Sequence, residues 1–389
     1  MTRVLFWSDA FWPNIGGVEV LGARLVTALR ARGHEIIVVT RRDVLDLPAE
    51  SCYEGVSVRR FEFLQVAQSR DAFRWIEMRR QIARLKREFA PDVVHVYHAA
   101  FDTVLHLETL DAHPAATLST VHGALPDHVV TPGSMLRRLL GDSAWVTACS
   151  VAALDRVRAQ APEIVDRSSV IVNALEPAPH EPAPIPFSPP CLLCVGRVMT
   201  DEKGFDLAIS ALEQLAPRHP ELRLTIAGGG DALPALEAHA RAVGIADRVD
   251  FLGWVNPGQI PSLMASATVV LMPSRIEEGF GLALLQAAQL GRPVIATRTG
   301  GLPEVVLDGE TGLLVEPENP GAIARAIEAL LRDPERTIAM GQAARRRALT
   351  EFGWERHVDA YDELLHTLTN GHRSPGDRAA QDALTSRQT

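Results

Sequence analysis

Three short segments carry side chains whose types and spacing suit a polyanion and a hydroxyl-rich ligand. In C-V-G-R-V-M-T-D-E-K-G, Gly196 and Arg197 follow an apolar run, and Lys203 stands six residues beyond Arg197, just before Gly204. Two cations so spaced in a strand-to-helix loop can converge on one polyanion, and stabilising a departing diphosphate needs that arrangement. The plainer reading is a solvated loop with an Asp-Glu-Lys cluster. Composition weighs against it. The 39 basic residues are 37 arginines and two lysines, Lys86 and Lys203. A lysine standing against so strong a bias suits a position that wants a compact point charge, for which arginine is no substitute.

The second segment is P-S-R-I-E-E-G-F-G-L-A-L-L-Q. Glu277 and Glu278 precede Gly279, Phe280 and Gly281, and Leu282 and Leu285 then begin a helical face. Gln286 falls roughly two turns along from Glu278 on the same face. Both can meet one ligand lying beside the helix. An acid favoured by the helix dipole, worth ~0.3–1 kcal/mol, is the simpler account. It explains one glutamate but not the glycine-flanked bend.

The third segment, P-N-I-G-G-V-E, places Gly16 and Gly17 before a helical pattern, where backbone N–H groups can approach a phosphate. It lacks both the G-K-[ST] of a Walker loop and G-x-G-x-x-G. On turn chemistry alone, a tight turn is the favoured reading. Among the histidines, His122 in T-V-H-G ends an apolar run before a glycine and is the best placed for catalysis. His98 lies one step past another such run, whereas His95 falls inside it. Cys191 and Cys194 match C-x-x-C, but within a strand residues three apart point to opposite faces, which argues against shared metal or disulfide chemistry. The chain contains no Asp-x-Asp, H-E-x-x-H or EF-hand loop, so neither a metal site nor a resident cofactor is expected.

These segments need rigid elements to position them. Residues 4–7 and 36–40 read as strands around a helix at 20–32, with further buried strands at 93–97, 118–121, 146–148 and 170–172. Residues 177–190 hold seven prolines in fourteen, which fits a stiff extended linker and neither a helix nor a central strand. The alternation then restarts. Strands are expected at 191–195, 222–227, 249–252, 269–272 and 294–296, and helices at 204–218, 233–244, 257–267 and 281–290. Residues 319–368 read as helices. The polar stretch 370–389 reads as a disordered tail. Alternating strands and helices imply an α/β fold of two Rossmann-like units with parallel sheets. The expected units are an N-terminal domain at 1–176 and a C-terminal domain at 191–351, joined by the 177–190 linker.

Length and charge narrow the function classes. A chain of 389 residues with 47% hydrophobic side chains is long enough for two cores. A net charge of −9 gives no electrostatic case for nucleic-acid binding. Four cysteines suit a reducing compartment. No apolar run approaches the ~20 residues needed to span a bilayer, and the N-terminus does not read as a signal peptide. A cytoplasmic protein is expected, with peripheral membrane contact open. Residues 70–87 carry Arg70, Arg74, Arg79, Arg80, Arg84, Lys86 and Arg87 beside Phe73, Trp75, Ile76 and Leu85, as in a basic amphipathic helix on an anionic surface. A solvated helix face accounts for them equally well. Arg137 and Arg138 mark a second basic patch.

Taken together, these motifs resemble the retaining, GT-B-fold glycosyltransferases of family 4 (the group 1 glycosyltransferases), over almost the whole chain and most strongly in its second half. The resemblance implies that Arg197 and Lys203 stabilise the departing diphosphate without metal, that Glu278 meets the donor sugar, and that His122 lies near the reacting centre. It implies donor contacts at Gly16, Gly17, Gly196, Gly228, Phe251 and Gly253. It extends them to Gly279, Phe280, Gly281, Leu282 and Gln286. His98 and Asn173 are then acceptor-side candidates, the loop at 297–304 (T-R-T-G-G-L-P-E) lies near the diphosphate, and a C-terminal helix at about 352–368 packs back onto the first domain. One departure stands out: the family often has a second glutamate where this chain has Gln286. The implied partners are a nucleotide-sugar donor and a glycan, lipid-linked or small-molecule acceptor, with no cofactor. A nucleotide-sugar epimerase of similar architecture and a degenerate nucleotide-binding paralogue are the alternatives.

Overall fold

The computed structural model describes residues 1–42, 47–178, 182–199 and 202–372. The chain divides into two compact units. The first comprises Met1–Cys149, Ala153–Ile171 and the chain from Glu355 onward; the second comprises Ser150–Ala152 and Val172–Trp354.

The first unit begins β1 (Arg3–Ser8), α1 (Gly17–Ala31), β2 (Glu35–Arg41), β3 (Glu50–Tyr53), β4 (Val56–Phe61), α2 (Phe63–Ser69) and α3 (Ala72–Phe89). It continues through β5 (Val93–His98), α4 (Thr103–Leu107), β6 (Ala116–Val121), α5 (Met135–Asp142), β7 (Trp145–Ala148), α6 (Val151–Gln160) and β8 (Ser168–Val170). The strand order is β3-β4-β2-β1-β5-β6-β7-β8. β1 and β5 are mostly apolar and β6 is buried at every position, its Thr117, Ser119 and Thr120 included, because both faces of a parallel sheet are covered. Order reverses between β1 and β5, the switch point of this sheet. The sheet is not wholly parallel: the sequence reading missed β3 and β4, and they pair antiparallel, joined by a tight turn at Glu54-Gly55. The expected strand at 170–172 lies instead at Ser168–Val170.

The second unit runs β9 (Cys191–Val195), α7 (Phe205–Leu215), β10 (Arg223–Ala227), α8 (Leu233–Ala242), β11 (Val249–Gly253), α9 (Ile260–Ala265) and β12 (Val269–Met272). Then come α10 (Leu282–Gln289), β13 (Val294–Thr297), α11 (Leu302–Val305), β14 (Gly312–Val315), α12 (Pro320–Arg332) and α13 (Pro334–Glu351). Its six parallel strands are ordered β11-β10-β9-β12-β13-β14, with the switch between β9 and β12. β14 was not read from the sequence. Leu192, Cys194, Leu224, Val269 and Leu271 pack with Ile209, Leu212 and Ile327 into one core. Cys191 and Cys194 are separate thiols within β9, and burial raises the Cys194 thiol well above its usual pKa.

The last helix, α14 (Trp354–His372), belongs to the first unit from Glu355. There Tyr361 is fully buried, its hydroxyl 3.4 Å from Thr120 Oγ1 and its ring 5.3 Å from that of His95. Helix therefore continues past residue 370, where the sequence reading placed a disordered tail; residues 373–389 lie outside the described residues, as do 179–181 of the linker.

Candidate functional site

Ligands of open α/β sheets bind beyond the carboxyl ends of the strands at the switch point. In the second unit that place is the gap between the loops following β9 and β12. The loop after β12 runs Pro273-Ser274-Arg275-Ile276-Glu277-Glu278-Gly279-Phe280-Gly281 into α10. The loop after β9 carries Gly196, Arg197 and Lys203 before α7.

The two loops meet at one ion pair. Lys203 Nζ donates to Glu278 Oε1 at 2.5 Å, and Ser274 Oγ donates to the same oxygen at 2.6 Å. The two side chains are partly buried, 24% and 13% exposed, which leaves the pair reachable from solvent but shielded enough to act on a ligand. Ser274 is fixed in turn: its carbonyl accepts from Thr297 Oγ1 of β13 at 2.7 Å. Glu277, next in sequence, is exposed.

Gly204 explains how Lys203 comes so close. It caps α7 in a left-handed conformation at φ +63°, and a Cβ there would lie 2.1 Å from the Pro273 carbonyl oxygen. Only glycine lets the start of α7 press against the end of β12. The T-R-T-G-G loop after β13 works the same way. Gly300, at φ +52°, has no room for a Cβ, which would fall 2.2 Å from the Glu278 carbonyl oxygen, and Gly301 N donates to that oxygen at 2.8 Å. In this structure the glycines of 297–304 seat the backbone of Glu278.

A second clamp ties the same loops together. Arg275 makes a bidentate pair with Asp206 at the start of α7, 2.7 Å for each contact, and its Nε lies 2.6 Å from Glu318. The Arg275 backbone N–H also donates to the Glu202 carbonyl at 2.9 Å. Sequence reasoning missed Ser274, Arg275, Asp206 and Glu318. The only hint was S-R one residue ahead of E-E-G, in a chain where arginine is too common to signal anything.

The other expected contacts are spread along the same sheet edge. Arg197 is exposed and, among the described residues, makes no hydrogen bond or ion pair. Its loop rests on the glycine run after β10: Gly196 N donates to Ala227 O at 3.1 Å, Val198 N donates to Gly229 O at 2.9 Å, and Gly228 abuts the Gly196 carbonyl. Leu282 and Gln286 are half-buried on α10. Phe280 is buried, with its ring edge-on to Phe352 at 5.5 Å, so it supports the bend from beneath. Phe251 packs against the core, and Gly253 ends β11. Asn173 is buried in the second unit.

In the first unit, His122 follows β6 and His98 ends β5, both at the carboxyl edge of their sheet. The His122 ring packs on Tyr97 at 4.4 Å. Burial, with His98, His95 and His357 around it, lowers its pKa well below the usual imidazole value, so the ring is neutral. His95 is buried inside β5, 2.8 Å from Thr120 Oγ1. Gly16 is extended and Gly17 opens α1. At the switch point, Trp7 Nε1 donates to Asp102 Oδ2 at 2.6 Å, and Asp102 Oδ1 is buried without a partner. Burial, and then the charge of Asp9, push the Asp102 carboxyl up to about 7.

The basic helix is corrected in one respect. α3 exposes Arg74, Arg79, Arg80, Arg84 and Arg87 together with Phe73 and Ile76, with Arg74 3.6 Å from Glu62 and Arg80 3.8 Å from Glu77. Lys86, however, is buried. Its ammonium donates to the His106 and Thr109 carbonyls at 3.1 Å each and contacts His106 Nδ1 at 3.0 Å, so it caps α4 and is absent from the basic face. Arg137 pairs with Glu163 at 2.7 Å and Arg138 with Asp142 at 3.4 Å, so both arginines of the second basic patch have acidic partners. Among the described residues, no helix is long and apolar enough to cross a membrane.

Comparison with known proteins agrees with this architecture. Residues 15–178 match the model described as Glycosyltransferase Family 4, and residues 178–347 match that of Glycosyl transferases group 1. A glycogen synthase of Mycobacterium tuberculosis is 30% identical over 97% of this chain and 97% of its own length. A GDP-mannose-dependent alpha-(1-6)-phosphatidylinositol monomannoside mannosyltransferase of Mycolicibacterium smegmatis is 39% identical over 45% of this chain and 47% of its own. Among solved structures, sucrose-phosphate synthase of Thermosynechococcus elongatus superposes with a TM-score of 0.81 at 20% identity, covering 95% of this chain and all of that one. Anabaena HepE with UDP and glucose gives 0.78 at 19% identity, covering 94% of this chain and all of its own. The fold is that of the GT-B glycosyltransferases, and the chain belongs to glycosyltransferase family 4, the group 1 glycosyl transferases, as a transferase that takes its sugar from a nucleotide-sugar donor.

Proposed function

We propose that the protein is a retaining hexosyltransferase that moves a sugar from a UDP- or GDP-linked donor to an acceptor hydroxyl without metal. The observation that carries this reading is the Lys203–Glu278 pair at the β9/β12 switch point. It sets a cation for the diphosphate beside an acid for the sugar. In the reaction, the bond between the anomeric carbon and the phosphate oxygen breaks as the acceptor oxygen bonds to the same carbon from the same face. The acceptor proton passes to the departing phosphate oxygen. Lys203 and Arg197 stabilise the negative charge that grows on the diphosphate. Glu278 orients the sugar hydroxyls, and the Arg275–Asp206 clamp keeps the two loops in register. His122, being neutral, serves as a hydrogen-bonding group and not as a standing cation.

The acceptor class we favour is lipid-linked or a cell-surface glycan, with the protein peripheral to the cytoplasmic membrane. Support comes from the exposed α3 face, where five arginines accompany Phe73 and Ile76, and from a relative named for a phosphatidylinositol monomannoside acceptor.

A screen of UDP- and GDP-sugars, with the anomeric configuration of the product read by NMR, tests the reaction. Retained configuration and full activity in EDTA are expected, with turnover of Arg197→Ala down ~100-fold. Inverted product, or activity that EDTA abolishes and magnesium restores, overturns the reading. Sedimentation with anionic liposomes at low salt tests the membrane contact, which absence of binding would refute.

A further inference from the structure

The first unit holds a second set of titratable groups, at the sheet edge opposite His122 and Asp102. His34 stands in the turn just before β2, and Asp362 and His366 lie four residues apart on α14, on one helix face. His34 Nε2 lies 2.7 Å from Asp362 Oδ1, and His366 Nε2 lies 3.2 Å from the same oxygen. The two rings are 5.2 Å apart, and the three donor atoms all fall within 4.8 Å of one another.

We propose that His34, Asp362 and His366 form a structural site for a divalent transition-metal cation, zinc by ligand type, that pins α14 to the turn between α1 and β2. Two imidazoles and one carboxylate are a borderline set that suits zinc and not magnesium or calcium, which take oxygen ligands. Tetrahedral ligands at zinc bond lengths stand about 3.3 Å apart. The two distances to Asp362 Oδ1, 2.7 and 3.2 Å, bracket the shorter side of that spacing, and the two ring nitrogens lie within 4.8 Å of each other, so an ion enters once the rings adjust about the carboxylate. An ordinary histidine–carboxylate contact does not need two ring nitrogens on a single oxygen. His34 Nδ1 is buried without a partner, so Nε2 is the nitrogen through which this ring makes its polar contact.

The surroundings fit a cation. Asp362 Oδ2 faces Arg32 at 3.5 Å, and the Met1 α-amino group also acts on His34. Those two positive charges are outweighed by Glu355, Asp359 and Asp362, all of which pair with Arg32. The side chains of His34, Asp362 and His366 are 1%, 24% and 50% exposed. That gradient gives a buried anchor, an entry path and an outer position for water as fourth ligand. Because the site lies away from the carboxyl edge of the sheet, its role is to hold α14 and not to act on sugar.

The test uses the full chain, stripped of metal by chelation, and the variant His366→Ala, which changes a half-exposed side chain. Cobalt(II) titration followed by visible absorption, and zinc titration followed by Tm, are the readouts. The parent is expected to bind one more equivalent of cobalt than the variant, with the strong visible bands of four- or five-coordinate cobalt. Zinc is expected to raise the parent's Tm progressively, while the variant shows at least ~10-fold weaker binding. Equal cobalt stoichiometry and equal Tm response in the two proteins would overturn the proposal.

Discussion

Lys203 Nζ and Glu278 Oε1 lie 2.5 Å apart although 75 residues separate them in sequence, and they join the loops that follow β9 and β12. The cation and the acid to which the proposed function gives the diphosphate and the sugar are therefore one electrostatic unit. Removing either leaves the other partly buried and unpaired.

The two residues should consequently fail as a pair. Lys203→Ala and Glu278→Gln should each lower turnover by ~100-fold. The double variant should be little worse than the worse single, because the second substitution removes a group already mispositioned. Steady-state kinetics of the four proteins measure this. Losses that multiply, to ~10⁴-fold, would show that the pair does not act together.

The glycine contacts behind Glu278 predict a contrast in stability. Gly300→Ala sets a Cβ 2.2 Å from the Glu278 carbonyl oxygen, whereas Gly309, at φ +80°, has nothing within 4 Å of its Cβ position. Gly309→Ala should cost only the left-handed strain of about 1–2 kcal/mol. Gly300→Ala adds overpacking to the same strain, for about 3 kcal/mol or more, and should also reduce turnover by shifting Glu278. Urea denaturation of both variants decides; equal losses would mean that the loop gives way freely.

Asp102 predicts a pH dependence. Its folded pKa, about 7, is raised above the ordinary carboxyl value by burial and by Asp9. A raised folded pKa contributes stability that is present at acid pH, below the unfolded value, and is lost as pH rises through the folded one. The loss should run from roughly pH 4 to pH 7, at up to about 1.4 kcal/mol per pH unit. Asp102→Asn removes this slope while keeping an oxygen for Trp7 Nε1. The stability of the variant relative to the parent should rise across that window. A difference that stays flat from pH 4 to pH 7 would contradict a carboxyl held neutral.

The pattern of what was legible in the sequence follows from physics. β9, β12 and β13 announced themselves because strands buried on both faces must be apolar throughout. β4 alternates, with Val56, Val58 and Arg60 buried and Ser57, Arg59 and Phe61 less so, but the burial of Arg60 disguises the period. Lys203, Gly204 and Glu278 were visible as types and spacings. That they touch was not, because pairing across 75 residues depends on strand order, which no local pattern encodes. Lys86 misled for the same reason: one arginine-rich helix gives no sign that its single lysine turns inward to cap α4.

Under the proposed function, substitutions at Gln286 and Glu278 should separate binding from chemistry. The structure starts α10 at Leu282, beyond the bend that carries Glu278, so the two do not share one helix face as the spacing suggests; Gln286 lies half-buried about one turn into α10, and in the proposed function it meets the part of the donor that does not change during reaction. Gln286→Glu restores a carboxylate where the family often has one, and charge-assisted bonding to ribose hydroxyls gains roughly 1 kcal/mol. Donor binding should tighten by a factor of ~5 with kcat unchanged. Glu278→Gln should show the opposite pattern, with kcat reduced and donor affinity moved less. Titration of the donor nucleotide alongside initial-rate kinetics distinguishes the two. If Gln286→Glu abolishes turnover, or Glu278→Gln leaves it near normal, the register of the E-E-G-F-G segment against the donor is wrong, and exposed Glu277 becomes the residue that faces the sugar.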